Sequence, residues 1–346
     1  MTTTKQNAVD YPTATMPSPD FRGFCFNGVL YLGKRSSEMS NTERVPVKVY
    51  RWDDVGAPQV EAAAGSLKTI LKACLVSGYG EDENRKEGLG WEMAFEKTQE
   101  ACFRSTHPKA TKWWLGVNDS VYGRDDDNRH AVFVGILEPT SAKSGRLVKR
   151  ANNRRGDTSE FNYIPKYGQD NNLRWILIGH ARGFILTLLS PAEETWCPYI
   201  YFGDFATFAV ADDHHTLLMI GTSLGELYFR RNEVYSIVAA MRNYKGLDAY
   251  EYEASAAIPE MGGYPNPITS GFTASELYLM EGINGSLVAR GVIPGLMKTS
   301  ESMPDEDVVR FGTVYDNLDD SGDKWMYIKS FEKDAGMLIN LTAWQV

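Results

Sequence analysis

The chain has 346 residues, of which 43% are hydrophobic and 23% charged, with a formal net charge of −9. The apolar share can build a core and excludes a wholly disordered chain; the acidic balance excludes a general nucleic-acid binder, which needs a basic face to neutralise phosphates. The length suggests two domains, and 18 Tyr, 15 Phe, 8 Trp and 31 Gly point to many short strands joined by tight turns.

Residues 1–20 lack a periodic apolar signal and contain Pro12, Pro17 and Pro19, so they read as an extended arm that orders against a partner. With one lysine and no apolar stretch, they do not resemble a secretion signal. Apolar residues return over 21–32 as a strand or hairpin turning at Asn27-Gly28. Val45, Val47 and Val49 alternate as the next strand. Residues 66–77 then place Leu67, Ile70, Leu71, Cys74 and Leu75 on one face of a helix, with Gly78 as its left-handed stop. A charged, exposed loop follows at 81–87.

Period two takes over after the loop. Trp91, Met93 and Phe95 share one face, Ala101 and Phe103 another, Trp113, Leu115 and Val117 a third, and 130–137 form a further strand. This predicts an antiparallel meander with a polar tip at 124–129. Residues 92–103 also fit a helix, with the hairpin preferred.

The most polar segment, 140–172, reads as a long loop carrying Lys143, Arg146, Lys149, Arg150, Arg154 and Arg155. In an acidic chain this basic concentration is a candidate surface for docking on an acidic protein, with nucleic acid ranked behind it and a plain solvated loop as the alternative. Two apolar runs, 175–178 and 184–189, flank a turn at His180-Ala181-Arg182-Gly183. Segments 199–210 and 216–220 form another hairpin, with Asp212-Asp213-His214-His215 at its tip. Residues 226–242 carry mixed signals with a helical end, and 259–271, rich in Gly and Pro, mark a linker or long loop. Short strands resume at 277–280, 287–290, 308–314, 325–328 and 337–341. The expected fold is α+β, mainly antiparallel β in a meander or sandwich, with one clear amphipathic helix. Its parts are an arm (1–20), a main domain (21–255) and a smaller β-rich C-terminal domain (256–346).

Few residues carry a pattern that points to chemistry. Cys25, Cys74, Cys102 and Cys197 form no CxxC pair and read as buried thiols kept in a reducing cytoplasm. Glycines 78–90 are followed by acidic residues that repel phosphate, and no GxxxxGK[ST] motif occurs. Asp212-Asp213-His214-His215 offers metal-ligand types, yet neighbours on a strand point to opposite faces and cannot converge on one ion, so it reads as a polar tip. Residues 316–323 resemble a calcium loop in composition only, with Leu318 where an oxygen ligand is needed. No GxSxG elbow is present, and His107, His130, His180, His214 and His215 show no distinctive partner pattern. Nothing approaches the ~18 apolar residues of a membrane span. The expectation is a soluble, non-enzymatic protein without cofactor or metal, with Trp91, Trp113, Trp175 and Trp325 in the core and interface anchoring as the alternative for them. A glycan-cleaving carboxylate pair is an alternative, weakened by the lack of a regular repeat.

Val49-Tyr50-Arg51-Trp52-Asp53-Asp54-Val55-Gly56-Ala57-Pro58 is followed by Gly65-Ser66-Leu67 and Leu71-Lys72-Ala73-Cys74-Leu75-Val76-Ser77-Gly78-Tyr79-Gly80. Gly90-Trp91-Glu92-Met93-Ala94-Phe95 and Ala101-Cys102-Phe103-Arg104 come next. This order resembles a family of virion structural proteins of tailed bacteriophages. The likeness continues at 175–179, at Tyr201-Phe202-Gly203-Asp204-Phe205, at Arg290-Gly291-Val292-Ile293-Pro294-Gly295-Leu296 and at Ile339-Asn340-Leu341-Thr342-Ala343-Trp344. The resemblance implies a subunit of a virion assembled in the host cytoplasm, contacting major capsid or tail proteins and further copies of itself. A decoration or cementing role on the head comes first, then a tail or baseplate subunit, then a glycan-binding or glycan-cleaving accessory protein. It implies no catalytic, cofactor or metal residues.

Overall fold

The computed structural model describes residues 21–26, 29–34, 43–61, 63–121, 130–149, 163–166, 173–189, 197–209, 212–221, 233–234, 237–247, 252–256, 262–263, 272–283, 286–302, 312–318, 320–328 and 335–346. The chain forms two compact units, Met1–Asn41 and Thr42–Val346. In the first, β1 (Phe21–Phe26) and β2 (Val29–Lys34) pair antiparallel with Phe26 opposite Val29. That is the hairpin expected around Asn27-Gly28, two residues that themselves lie outside the described set.

The alternating valines make two short strands, β3 (Arg44–Pro46) and β4 (Lys48–Arg51). Between them the Val47 N–H turns away to the Thr342 carbonyl, 3.0 Å off. Helix α1 (Ser66–Lys72) continues into a π turn at Ala73–Ser77, closed by the Gly78 N–H on the Ala73 carbonyl at 2.8 Å. The expected helix therefore has the right extent but a wider last turn. Gly78 is not a left-handed helical stop: at φ 70° and ψ 178° it leaves in an extended direction. The cause is the Tyr79–Lys86 bridge, in which each residue's N–H meets the other's carbonyl and draws the chain straight.

The next sheet comprises β5 (Trp91–Ala94), β6 (Glu100–Ser105), β7 (Trp114–Val121), β8 (His130–Pro139), β9 (Gly145–Lys149) and β10 (Tyr163–Pro165). Its order is β10-β8-β7-β6-β5, with β9 also on β8. The meander holds and the helical option for 92–103 does not, because β5 and β6 form a hairpin. Phe95 leaves the face of Trp91 and Met93: it turns out of the strand at φ 53° and is exposed. Strands β9 and β10 correct the reading of 140–172 as loop throughout. Leu147 lies opposite Leu137 and packs against the core, so a single apolar anchor on a free edge of β8 is enough to make a strand in a polar segment.

Further on come β11 (Arg174–His180), β12 (Gly183–Leu189), β13 (Tyr199–Asp204), β14 (Ala206–Thr207), β15 (Thr216–Gly221), β16 (Glu233–Val234) and β17 (Ile237–Ala240). The central sheet runs β17-β15-β13-β12-β11-β4. Residues 237–240, expected to be helical, are strand because Ile237 and Val238 are β-branched and β15 leaves an edge for them. The chain closes with β18 (Tyr252–Ala256), β19 (Gly262–Gly263), β20 (Ala274–Ile283), β21 (Ser286–Ser302), β22 (Val314–Asp316), β23 (Lys324–Ile328), β24 (Ala335–Asn340) and β25 (Ala343–Gln345). The third sheet has the order β16-β18-β20-β21-β24-β23-β22, with β14 and β19 also on β21, while β25 pairs with β3. The Gly- and Pro-rich stretch at 259–271 lies between β18 and β20, which pair directly with Ala254 opposite Leu279. Among the described residues the fold is thus mainly antiparallel β with one short α-helix.

The layers follow from the sequence of the central strands. β11, β12, β13 and β15 are buried along nearly their whole length, and their runs are apolar at successive positions rather than alternate ones. A strand apolar on both faces needs cover on both. One face, through Trp175, Leu177, Phe184, Leu186, Ile200, Phe202, Leu218 and Ile220, packs on α1 and the β5–β8 meander. The other, through Ile176, Ile178, Ile185, Tyr201, Leu217 and Met219, packs on Leu277, Leu279, Ile293, Met326, Ile328 and Ile339 of the third sheet. The result is a stack of three sheets, in which each such buried side chain contributes about 1.5–3 kcal/mol.

Candidate functional site

A cluster of buried charge lies where the central and third sheets meet near residues 204–216. β12 and β13 approach closely there, because Gly183 and Gly203 lie opposite each other and a Cβ on Gly203 would fall 2.2 Å from the Gly183 Cα. Beside this pair, Asp204 at the end of β13 takes the Arg182 Nε–H on Oδ2 at 3.0 Å and the Thr216 hydroxyl on Oδ1 at 3.3 Å. His215 Nε2 sits 3.6 Å from the same Asp204 oxygen and 3.3 Å from Arg182 Nη2.

Asp212 forms a second knot. Its carboxylate accepts the His214 backbone N–H at 3.0 Å and two guanidinium N–H groups of Arg290, from Nε at 3.1 Å and Nη2 at 2.8 Å. Arg290, on β21, also faces Glu281 of β20 at 3.1 Å and lies over the Phe205 ring at 5.1 Å. A third tie reaches the segment before β7: Trp113 donates its indole N–H to His214 Nδ1 at 3.3 Å, and Thr111 meets Thr216. Residues 204–216 therefore bind together groups from all three layers.

The protonation states follow from these neighbours. Burial pulls the His215 pKa down, but the Asp204 carboxylate beside it carries the net shift upward. His214 is shifted down, mainly by burial. Burial and then the Arg182 charge bring His180 down to about 4; its Nδ1 accepts the Arg182 backbone N–H at 3.0 Å. Glu281 is raised, since burial outweighs the pull of Arg290. His180 gives a testable sign. Its pKa is lowered on folding, so its contribution to stability is complete above the ordinary histidine range and fades as pH falls toward about 4. That contribution amounts to about 2 kcal/mol lost between about pH 7 and pH 5. The variant His180→Asn, which keeps an acceptor for the Arg182 N–H, should lose that much less over this range in urea unfolding. Equal losses in both proteins would reject the assignment.

Chemically the arrangement stores charge. The oxygens of Asp204 are taken by Arg182 and Thr216, and those of Asp212 by Arg290 and a backbone N–H. Among the described residues no group of three or more His, Cys, Asp or Glu converges as a metal site.

The sequence-predicted sites are distributed unevenly. Pro12, Pro17, Pro19, Arg150, Arg154 and Arg155 lie outside the described residues. Lys143 and Arg146 sit on the β8–β9 hairpin and form ion pairs, the first with Glu100 and the second with Glu138 at 2.8 Å. Lys149 ends β9 opposite Gly135. The reading of Asp212-Asp213-His214-His215 as a polar tip needs correction: Asp213 is exposed, but Asp212 is buried by its pairing with Arg290, a partner 78 residues away that local spacing could not reveal. Trp91, Trp113, Trp175 and Trp325 are buried as expected.

The blocks that carried the resemblance knit the fold. Asp54 holds the Lys86 ammonium at 2.7 Å and the Arg51 N–H at 2.7 Å, and Trp175 donates to the Pro58 carbonyl at 2.8 Å. Trp344 stacks on Tyr201 with centroids 6.0 Å apart. No protein-family model matches the chain, and no curated protein matches it.

Proposed function

We propose that this chain is a non-enzymatic structural subunit of a tailed-phage particle, acting through protein–protein contacts, with an accessory place on the head as the first assignment. The observation that carries the reading is the use made of the polar groups: the charged side chains gathered at residues 204–216 are paired with one another inside the stack rather than presented to a substrate. The residues behind the resemblance point the same way, since Asp54, Trp175 and Trp344 are spent on turns and packing. A stack of three sheets is a rigid body suited to carrying contacts on its surface. The arm with Pro12, Pro17 and Pro19 and the basic segment from Lys143 to Arg155 are the parts assigned to acidic neighbours in the particle.

Quantitative mass spectrometry of purified particles tests this. A copy number comparable with the major capsid protein supports the head assignment. A few copies per particle would move the subunit to the tail, and absence from particles would overturn the reading. Deleting residues 1–20 should leave the unfolding curve unchanged and lower incorporation; normal occupancy would remove the arm from the account.

A further inference from the structure

Away from the charge cluster, Lys166 and Asp119 meet with both side chains fully withdrawn from solvent. Asp119 lies on β7 and Lys166 directly follows β10; these strands flank β8 on either side. The Asp119 carboxyl is gripped on one oxygen, Oδ2, by the backbone N–H groups of Leu67 at 2.7 Å and Lys68 at 3.1 Å. Its other oxygen, Oδ1, faces the Lys166 amine, which also donates to the Ala63 carbonyl at 2.5 Å.

We propose that Lys166 and Asp119 are joined, after folding, by an isopeptide bond. A buried ion pair recovers little of the desolvation of its two charges, and condensation removes both charges at once. The step balances within the pair. One ammonium proton passes to Oδ1, leaving a neutral amine and a neutral acid. The Nζ lone pair then forms a bond to Cγ, and negative charge collects on Oδ2. The Cγ–Oδ1 bond breaks with its electrons on oxygen, which takes a second proton from nitrogen and departs as water.

The surroundings fit each stage. Burial raises the Asp119 acid above its ordinary range despite the opposing pull of Lys166, which favours the neutral form that must be attacked. The two backbone N–H groups on Oδ2 stand where the oxyanion develops, as donors in acyl-transfer sites do. Holding the groups in contact supplies an effective concentration of about 10⁵–10⁸ M in well-oriented systems. The product's hydrogen bonds are also in place: its carbonyl oxygen keeps Leu67 and Lys68, and its N–H keeps the Ala63 carbonyl. Such a bond would tie β7 to the end of β10 across the intervening β8, beside the start of α1.

The test is the intact mass of the folded full-length chain, followed by peptide mapping. The expected result is a mass one water below that of the sequence and a branched peptide containing both Asp119 and Lys166. Lys166→Arg should restore the full sequence mass. A wild-type chain at full mass after prolonged incubation in the folded state overturns the proposal. So does a water loss that maps elsewhere or persists in Lys166→Arg.

Discussion

Replacing Arg290 by methionine should lower the unfolding free energy by about 3–5 kcal/mol, the usual result of removing one partner from a buried charge pair. Arg290 is almost fully buried and serves two carboxylates, Asp212 through two N–H groups and Glu281 at 3.1 Å. Without it, both acids lose the guanidinium that faces them in a dry site. Glu281, which burial already raises against the pull of Arg290, would then bind its proton more tightly in the folded state than in the unfolded one. A raised folded pKa gives stability that is present at low pH and lost as pH rises, so the deficit of Arg290→Met should shrink on acidification. The triple variant Asp212→Asn, Glu281→Gln, Arg290→Met removes the charges together and should recover most of the loss. Denaturant unfolding of wild type, single and triple variants at two pH values decides the matter. A single variant as stable as wild type would show that Asp212 and Glu281 are solvated and that the cluster does not tie the sheets.

Much of the architecture was legible because the central strands announce their burial. The apolar runs 175–178 and 184–189 around their turn, and the hairpin segment 216–220, stand out in the sequence, and the structure adds the reason for their continuity: each has a sheet on both faces. Where the reading failed, a distant partner had overridden a local pattern. Gly78 carries the mark of a helix stop, but the Tyr79–Lys86 bridge decides its direction. Residues 145–149 look like loop until β8 is there to receive Leu147. Residues 237–240 take the open edge of β15 instead of a helix.

The polar cluster was less legible for the same reason. Asp212, His214 and His215 are neighbours in a turn between β14 and β15, where the alternation expected of a strand does not apply. Their real partners are Arg290, Trp113 and Asp204, none of which local spacing can supply. One signal was available: Arg290 interrupts an apolar strand, and a charged residue at such a position is rarely buried without a partner of opposite sign. Aspartate 119 gave a similar cue on β7, within a run that alternates cleanly up to Val117.

Trp344→Ala should cost about 3–5 kcal/mol, the range for deleting a large aromatic from a packed core. The indole is fully buried, edge-on to His180 at 5.3 Å and stacked on Tyr201, and its N–H reaches the Asn340 carbonyl at 2.8 Å. It also fills the space beside Gly295, where a Cβ would fall 2.2 Å from Nε1. Gly295 has φ 70°, so alanine there carries backbone strain of about 1–2 kcal/mol in any background, plus the clash with the indole in wild type. Gly295→Ala should therefore cost less in Trp344→Ala than in wild type, by roughly 1–3 kcal/mol in a double-mutant cycle. Removing the indole also opens His180 to water and should move its pKa back toward the ordinary histidine range, weakening the acid sensitivity assigned to that residue. Both effects must appear together, because one side chain closes both spaces. An additive cycle, or a His180 titration unmoved by Trp344→Ala, would mean that the C-terminal strand does not seal the core between β11 and β21.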